Sequence, residues 1–300
     1  ITITAGATQA ILTAVLAVVH PGDEVIVLEP CYDSYVPNIE LAGGKVVRVA
    51  LAPGTFRPDF GAIAAALNPR TRAIIVNSPH NPSATIWRAD DMARLAALLE
   101  PTDTLLISDE VYEHMVYDGV GHASASSHPS LAERSFVVSS FGKTFHVTGW
   151  KVGTVAAPAA LTAEFRKVHQ FNVFTVNTPM QHALAAYLAD PAAYLALPAF
   201  YQAKRDLFRA GLAATRLRLL PAPHQPAACG SSGWARQLAG SSRSSSSWPR
   251  CRRPVAWPTW WSSTWTPPTR LCSASCCNAP HRCRYTRQPM ACASNPIRST

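Results

Sequence analysis

A lysine, three carboxylates, two tyrosines and several amides and hydroxyls stand just beyond short runs of Val, Ile and Leu in this chain. After VIVL come Glu29, Pro30, Cys31 and Tyr32, and after AIIV come Asn77, Ser78, Pro79, His80 and Asn81. After TLLIS come Asp109, Glu110, Val111 and Tyr112, and after SFVVS come Ser140, Phe141, Gly142 and Lys143. Acids and phenols in such places can move protons, and a lysine amine can attack a carbonyl carbon. A further feature opens the chain: Gly6-Ala7-Thr8 sits at the turn from ITIT into an apolar helical stretch, where free N–H groups can bind an anion. Taken singly each residue has a plain reading. A Tyr after a strand packs, an Asp caps the next turn, and a loop lysine is solvated.

What could bring these residues together is the order of the elements. Strand-like runs are expected at Ile1–Thr4, Glu24–Leu28, Lys45–Val49, Ala73–Val76, Thr104–Ser108, Ser135–Ser139 and Lys151–Ala156. Between and after them, apolar residues at helical spacing predict helices over Ala7–Val19, Asp33–Leu41, Asp59–Leu67, Ala89–Leu99, Leu161–Gln170, Thr178–Leu188 and Ala199–Leu219. Such alternation predicts an α/β fold, a mostly parallel sheet sandwiched by helices. In open sheets of this kind ligands sit beyond the carboxyl ends of the strands. All the residues named above fall on that edge, which reads as an active-site edge.

The whole-chain averages conceal two different compositions. The chain has 300 residues, 48 % of them apolar, and a net charge of +9. All 18 acids lie at or before Asp206 beside 17 Lys and Arg, so residues 1–220 carry a net −1. Residues 221–300 hold ten Arg, no acid, no Lys and no Phe, with seven of the eight Cys, six of the eight Trp and 11 of the 25 Pro. Ordinary domains mix both signs of charge at about a quarter of their residues. Three readings of this tail compete: a basic disordered arm for RNA, a cysteine-rich module, and a GC-rich stretch translated out of frame. The third accounts best for the joint loss of Lys, Asp, Glu and Phe. Cys272, Cys276, Cys277, Cys283 and Cys292 lack paired C-x₂-C spacing, and the ten scattered His form no metal-binding pattern. No metal is expected. His80 reads as a polar residue near the edge of the site.

Five segments in order, TAGATQAIL, EPCYDSY, NSPHNPSA, SDEVYEHMVYDG and SFGKTFHVTGWKVG, resemble the pyridoxal-phosphate-dependent aminotransferases of fold type I, class I/II. VHQFNVFTVNTPMQ and EPCYDSYVP are most similar to the methionine, glutamine and kynurenine transaminase branch. The resemblance covers residues 1 to about 220. It implies pyridoxal 5'-phosphate as cofactor, bound covalently by Lys143 as the catalytic residue. It further implies Asp109 opposite the pyridine nitrogen, Asn81 and Tyr112 on the phenolic oxygen, and Tyr32 stacked on the ring. Ala7, Thr8, Ser140 and Lys151 then surround the phosphate. The implied reaction is ping-pong transfer of an amino group between methionine, glutamine or an aromatic amino acid and a 2-oxo acid.

The implied organisation is a cofactor-binding large domain over 1–203, a linking helix over 204–220, and an aberrant, disordered tail over 221–300. The resemblance also implies a segment before Ile1, a small C-terminal domain whose Arg clamps the substrate carboxylate, and a homodimer. No tail Arg stands in a recognisable strand context, so none is assigned, and impaired turnover and dimerisation are expected of this chain. The absent initiator Met suits a fragment. With no membrane span and no secretory leader expected, the location reads as cytoplasmic. Two other functions remain open at this point, a carbon–sulfur lyase on the same scaffold and RNA binding through the tail. The near-neutral 1–220 region argues against nucleic acid as partner.

Overall fold

The computed structural model describes residues 1–213, 215 and 216. Seven strands form one sheet: β1 (Thr2–Thr4), β2 (Glu24–Glu29), β3 (Lys45–Ala50), β4 (Thr71–Asn77), β5 (Leu105–Asp109), β6 (Ser135–Ser140) and β7 (Gly153–Ala156). Their order across the sheet is β1-β7-β6-β5-β4-β2-β3. The run from β3 to β6 is parallel throughout, and β7 is antiparallel to both β6 and β1. All seven expected strands are present. Their ends move by a few residues, and Asp109, Asn77 and Ser140 become the last residues of β5, β4 and β6 rather than the first after them.

Both faces of the sheet are covered, which explains why the strands read as continuous apolar runs rather than alternating ones. Val25, Val27, Ala73, Ile75, Ile107 and Val138 pack against α1 (Ala7–Val18), α2 (Tyr35–Leu41) and α7 (Ala159–Asn172). The alternate residues Ile26, Leu28, Ile74, Val76 and Leu106 face α3 (Phe60–Ala66), α4 (Ala89–Leu99) and α5 (Pro129–Ala132). A strand's period of two sends neighbours to opposite faces, so each parallel strand contributes to both cores. In α1, Ala10, Ile11, Ala14, Val15 and Val18 form the buried stripe.

One-turn helices carry the remaining connections: α6 (Phe141–Thr144) follows β6, and α9 (Ala192–Leu195) lies between α8 (Thr178–Leu188) and α10 (Leu197–Ala213). Such short pieces show no periodicity, and none of α5, α6 or α9 is predicted by spacing. The helix expected over Ala199–Leu219 begins two residues earlier, and residue 204 falls inside it. The expected tail over 221–300, with every reading attached to it, lies outside the described residues, as do 217–220. Among the described residues no helix is long and apolar enough to cross a membrane.

Candidate functional site

Beyond the carboxyl ends of β4, β5 and β6 lies an open cavity of about 660 Å3, counting the space in its mouth. Ala7, Thr8, Tyr32, Asn81, Asp109, Tyr112, Ser140, Lys143 and Lys151 all line it. The nine residues singled out in the sequence therefore meet in one place. Five connections bring them there: the start of α1, the loop before α2, the loop after β4, the end of β5 with its following turn, and α6 with the segment leading to β7.

Asp109 is the buried charge of the cavity, 5 % exposed. Burial pushes its carboxyl up to about 6. The Tyr35 hydroxyl, donating to Oδ2 at 2.5 Å, and the Val111 N–H, donating to Oδ1 at 3.2 Å, pull the other way. Glu110 beside it adds an upward push. The backbone around it is fixed as well: the Asp109 carbonyl accepts Asn77 Nδ2 at 2.9 Å and the Ser78 N–H at 3.0 Å. Asn77 Oδ1 in turn accepts the Asn81 N–H at 2.6 Å, so one amide ties the β4 loop to the end of β5. Burial, then Asp109 and Tyr32, push the Tyr112 phenol upward, which keeps it a proton donor near neutral pH.

Opposite this acid stand two cations. Neither the Lys143 nor the Lys151 ammonium has a hydrogen-bond or ion-pair partner among the described residues. Lys45 and Lys167, by contrast, are paired with Glu24 and Glu164. Lys143 rides on α6, whose start is capped by Ser140 Oγ accepting the Gly142 N–H at 3.2 Å. Its end is held from α10, where the Tyr201 hydroxyl donates to the carbonyls of Lys143 at 3.1 Å and Thr144 at 2.6 Å. Across the mouth, the hydroxyls of Thr8 and Tyr32 approach to 3.4 Å.

The first turn of α1 has no side-chain cap. Its free N–H groups and positive helix end therefore face the cavity without an internal acceptor. Gly6 precedes it at φ 86°, ψ 167°, a conformation essentially reserved for glycine. A Cβ there would stand 3.6 Å from Lys151 Nζ. The turn, the Ser140 hydroxyl and Lys151 make a cradle suited to a phosphate-sized anion.

Tyr35 and the cavity-lining Thr148 and Ile11 escape the sequence reading, whereas Asn77 and Val111, which also line the cavity, were named on the edge without a role. Position 77 was visible as the first residue after AIIV, whereas nothing in the sequence ties Tyr35 to Asp109 across 74 positions. His80, expected near the edge of the site, does not itself line this cavity. It is 7 % exposed, bonds Ser83 Oγ through Nδ1 at 2.6 Å, and borders a smaller void with Tyr35, Asn77 and Trp87. Burial, against a raising contact from Pro30, keeps its imidazole low and so neutral. A second buried acid, Glu110, accepts from Ser108 Oγ at 2.8 Å and Ala125 N at 2.9 Å. His122 Nε2 lies 2.8 Å from its Oε2. It is a neighbour of the site that serves the β5 loop.

Residues 1–226 match the family described as aminotransferase class I and II. The chain belongs to that family. A methionine aminotransferase of Escherichia coli (strain K12) is 54 % identical over 222 residues, covering 74 % of this chain and 58 % of that one. The crystal structure of Escherichia coli YbdL, identified as a methionine aminotransferase, superposes with a TM-score of 0.72 at 54 % identity, covering 74 % of this chain and 59 % of that one. N-succinyldiaminopimelate aminotransferase from Mycobacterium tuberculosis gives a TM-score of 0.68 at 41 % identity, over 70 % of this chain and 56 % of that one. Human kynurenine–oxoglutarate transaminase 1 is 39 % identical over 194 residues, 61 % of this chain and 46 % of that one. The chain thus spans less than two thirds of the length of each of these relatives. The expected fold type and family both hold, and the cavity lies wholly within the matched residues.

Proposed function

We propose that this chain is the cofactor-holding part of an aminotransferase that binds pyridoxal 5'-phosphate through Lys143. It would exchange an amino group between an amino acid and a 2-oxo acid in a ping-pong cycle, with methionine, glutamine or an aromatic amino acid as donor. The observation that carries this reading is a single cavity holding two ammonium groups unpaired among the described residues, an uncapped helix start and one buried carboxylate. That donor set fits the group, with amides and a cation for a phosphate, an acid for a protonated ring nitrogen and an amine for an aldehyde. When bound, the group supplies the aldehyde for amine capture and a ring that withdraws electrons from the substrate α-carbon.

Each side chain then has a defined task. The Lys143 amine would hold the aldehyde of the bound group and, as a free amine, would take up and return a proton at the substrate α-carbon. Asp109 would keep the ring nitrogen protonated, and Tyr112 and Asn81 would donate to the phenolic oxygen. Tyr32 would cover the ring, and Ala7, Thr8, Ser140 and Lys151 would hold the phosphate. Among the described residues no arginine lines the cavity, so none is assigned to the substrate carboxylate.

The proposed organisation keeps residues 1–203 as the cofactor-binding domain and 204–220 as the link beyond it. A homodimer is supported by exposed apolar side chains on α7 and α10, among them Phe171, Leu207 and Phe208, and by Phe174 in the turn after α7. A cytoplasmic location suits the single Cys of residues 1–220. The test is titration of the full chain with pyridoxal 5'-phosphate beside Lys143→Ala, reading the visible band and its fixation by borohydride. Label fixed on the parent chain and absent from the variant is the expected result. A folded parent chain that takes no label, or a variant that takes it equally, overturns the proposal.

A further inference from the structure

Asp109 has to stay ionised in a place that favours its neutral form. It is 5 % exposed, and a carboxylate deprived of water and of partners takes up a proton. Only two hydrogen-bond donors reach its carboxylate among the described residues, the Tyr35 hydroxyl at 2.5 Å and the Val111 N–H at 3.2 Å. The shorter contact is made by a side chain that lines the smaller void and not the cavity. We propose that Tyr35 is a positioning residue whose hydroxyl holds the Asp109 carboxylate ionised and in a fixed orientation toward the cavity. This rests on the cofactor reading above for the use to which the carboxylate is put.

The geometry around Tyr35 leaves its proton one destination. The ring is 2 % exposed and packs edge-on to Tyr32, centroids 5.7 Å apart at 75°. Burial first, then the charge of Asp109, push the phenol well above its usual range, so it donates at every working pH. Its backbone N–H bonds the Tyr32 carbonyl at 3.2 Å. One turn of chain therefore aims two phenol rings, Tyr32 into the cavity and Tyr35 at the acid behind it. The other titratable groups near the pair are Glu110 next to Asp109, Tyr112 on the following turn, and Cys31 and Tyr32 before α2. His80 lies across the small void, and Lys143 and Lys151 across the main cavity. None of these hydrogen-bonds the carboxylate. Two oxygens offer about four acceptor positions, so sites remain for a ring N–H after both donors are served.

Tyr35→Phe removes the hydroxyl and keeps the ring. In the full chain without added cofactor, the Asp109 midpoint is read by carboxylate 13C NMR, its signal assigned by loss in Asp109→Asn. The midpoint should rise by roughly 1 pH unit, the size expected for losing one hydrogen bond to a charged group. Replacing Tyr35 by 3,5-difluorotyrosine, whose hydroxyl is a stronger donor in a ring of nearly unchanged shape, should move it down. That second variant keeps the question open to test even if the phenylalanine form does not fold. With 15N-labelled pyridoxal 5'-phosphate bound, the pyridine nitrogen should lose part of its protonated signal at neutral pH in Tyr35→Phe. A folded Tyr35→Phe chain with an unmoved Asp109 midpoint would falsify the proposal, whatever its melting temperature. Failure of the parent chain to take up cofactor would instead defeat the cofactor reading, while the midpoint still decides the role of Tyr35.

Discussion

The two ends of the sheet treat buried charge in opposite ways. At the amino-terminal end, Glu24 opens β2 at 4 % exposure and is surrounded by donors. Asn68 Nδ2 reaches it at 2.8 Å, Arg70 at 3.0 and 3.1 Å, and Lys45 at 3.2 Å. These hydrogen bonds, with Asn68 first, then Arg70 and Lys45, hold its carboxyl down at about 2. Nearby, Arg134 donates to the carbonyls of Leu99, Thr102 and Thr104. At the carboxyl end, Asp109 is as deeply buried with fewer donors and stands near 6, while two ammonium groups have no partner among the described residues. One end has closed its electrostatics within the chain. The other has left them open, and the open end is where a charged ligand gains most.

The sharpest way to test this contrast uses the same residue type at both ends. Lys143→Ala should abolish borohydride-fixed label, whereas Lys45→Ala should keep the label in full and lower only the melting temperature. Equal labelling of the two variants would erase the distinction.

Next in size is the pH dependence of the cofactor-free chain. Asp109 has a folded value above its unfolded one, so its neutral form favours the fold. Its contribution is complete below about pH 4 and is lost as pH rises to about 6, a step on the order of 3 kcal/mol. Denaturant titrations across that range should show the step in the parent chain and not in Asp109→Asn. Pyridoxal 5'-phosphate at saturation should also flatten it, because a protonated ring nitrogen stabilises the ionised acid.

Gly6→Ala forces a side chain into a conformation that costs about 1–3 kcal/mol, and it crowds the anion cradle. Reduced stability together with weaker binding of inorganic phosphate, followed by calorimetry, is the expected pair of results. Unchanged phosphate binding would remove the α1 turn from the site.

The smallest effect on cofactor uptake belongs to the closed end. Glu24 has a depressed folded value, so its contribution is present above about pH 4.5 and disappears as pH falls toward 2. Glu24→Gln should abolish that acid-side loss and leave cofactor uptake untouched. A change in cofactor uptake would show that the two ends are coupled.

Much of this was written in short stretches of chain. Runs such as VIVL, AIIV and TLLI are apolar on both faces because a parallel sheet is covered twice, and that local property predicts both the strands and the edge where ligands sit. Lys143, Asp109, Tyr112, Ser140 and Asn81 were legible because each ends its strand or follows it within a few residues. Gly6-Ala7-Thr8 was legible because a helix start offers free N–H groups wherever it occurs. One-turn pieces such as α6 were not, since four residues make no periodic pattern.

Only tertiary structure decided the relations among these residues. The sequence placed nine candidates on one edge, but their meeting in a single cavity depends on the strand order, which brings β1 and its helix back beside β7. His80 has the same loop and polarity as Asn81, yet packing turned it into a separate void. The bond from Tyr35 to Asp109 spans 74 positions and has no local signature. Local chemistry sets what each residue can do, while burial and partners, which belong to the folded whole, set which charge stays open to a ligand.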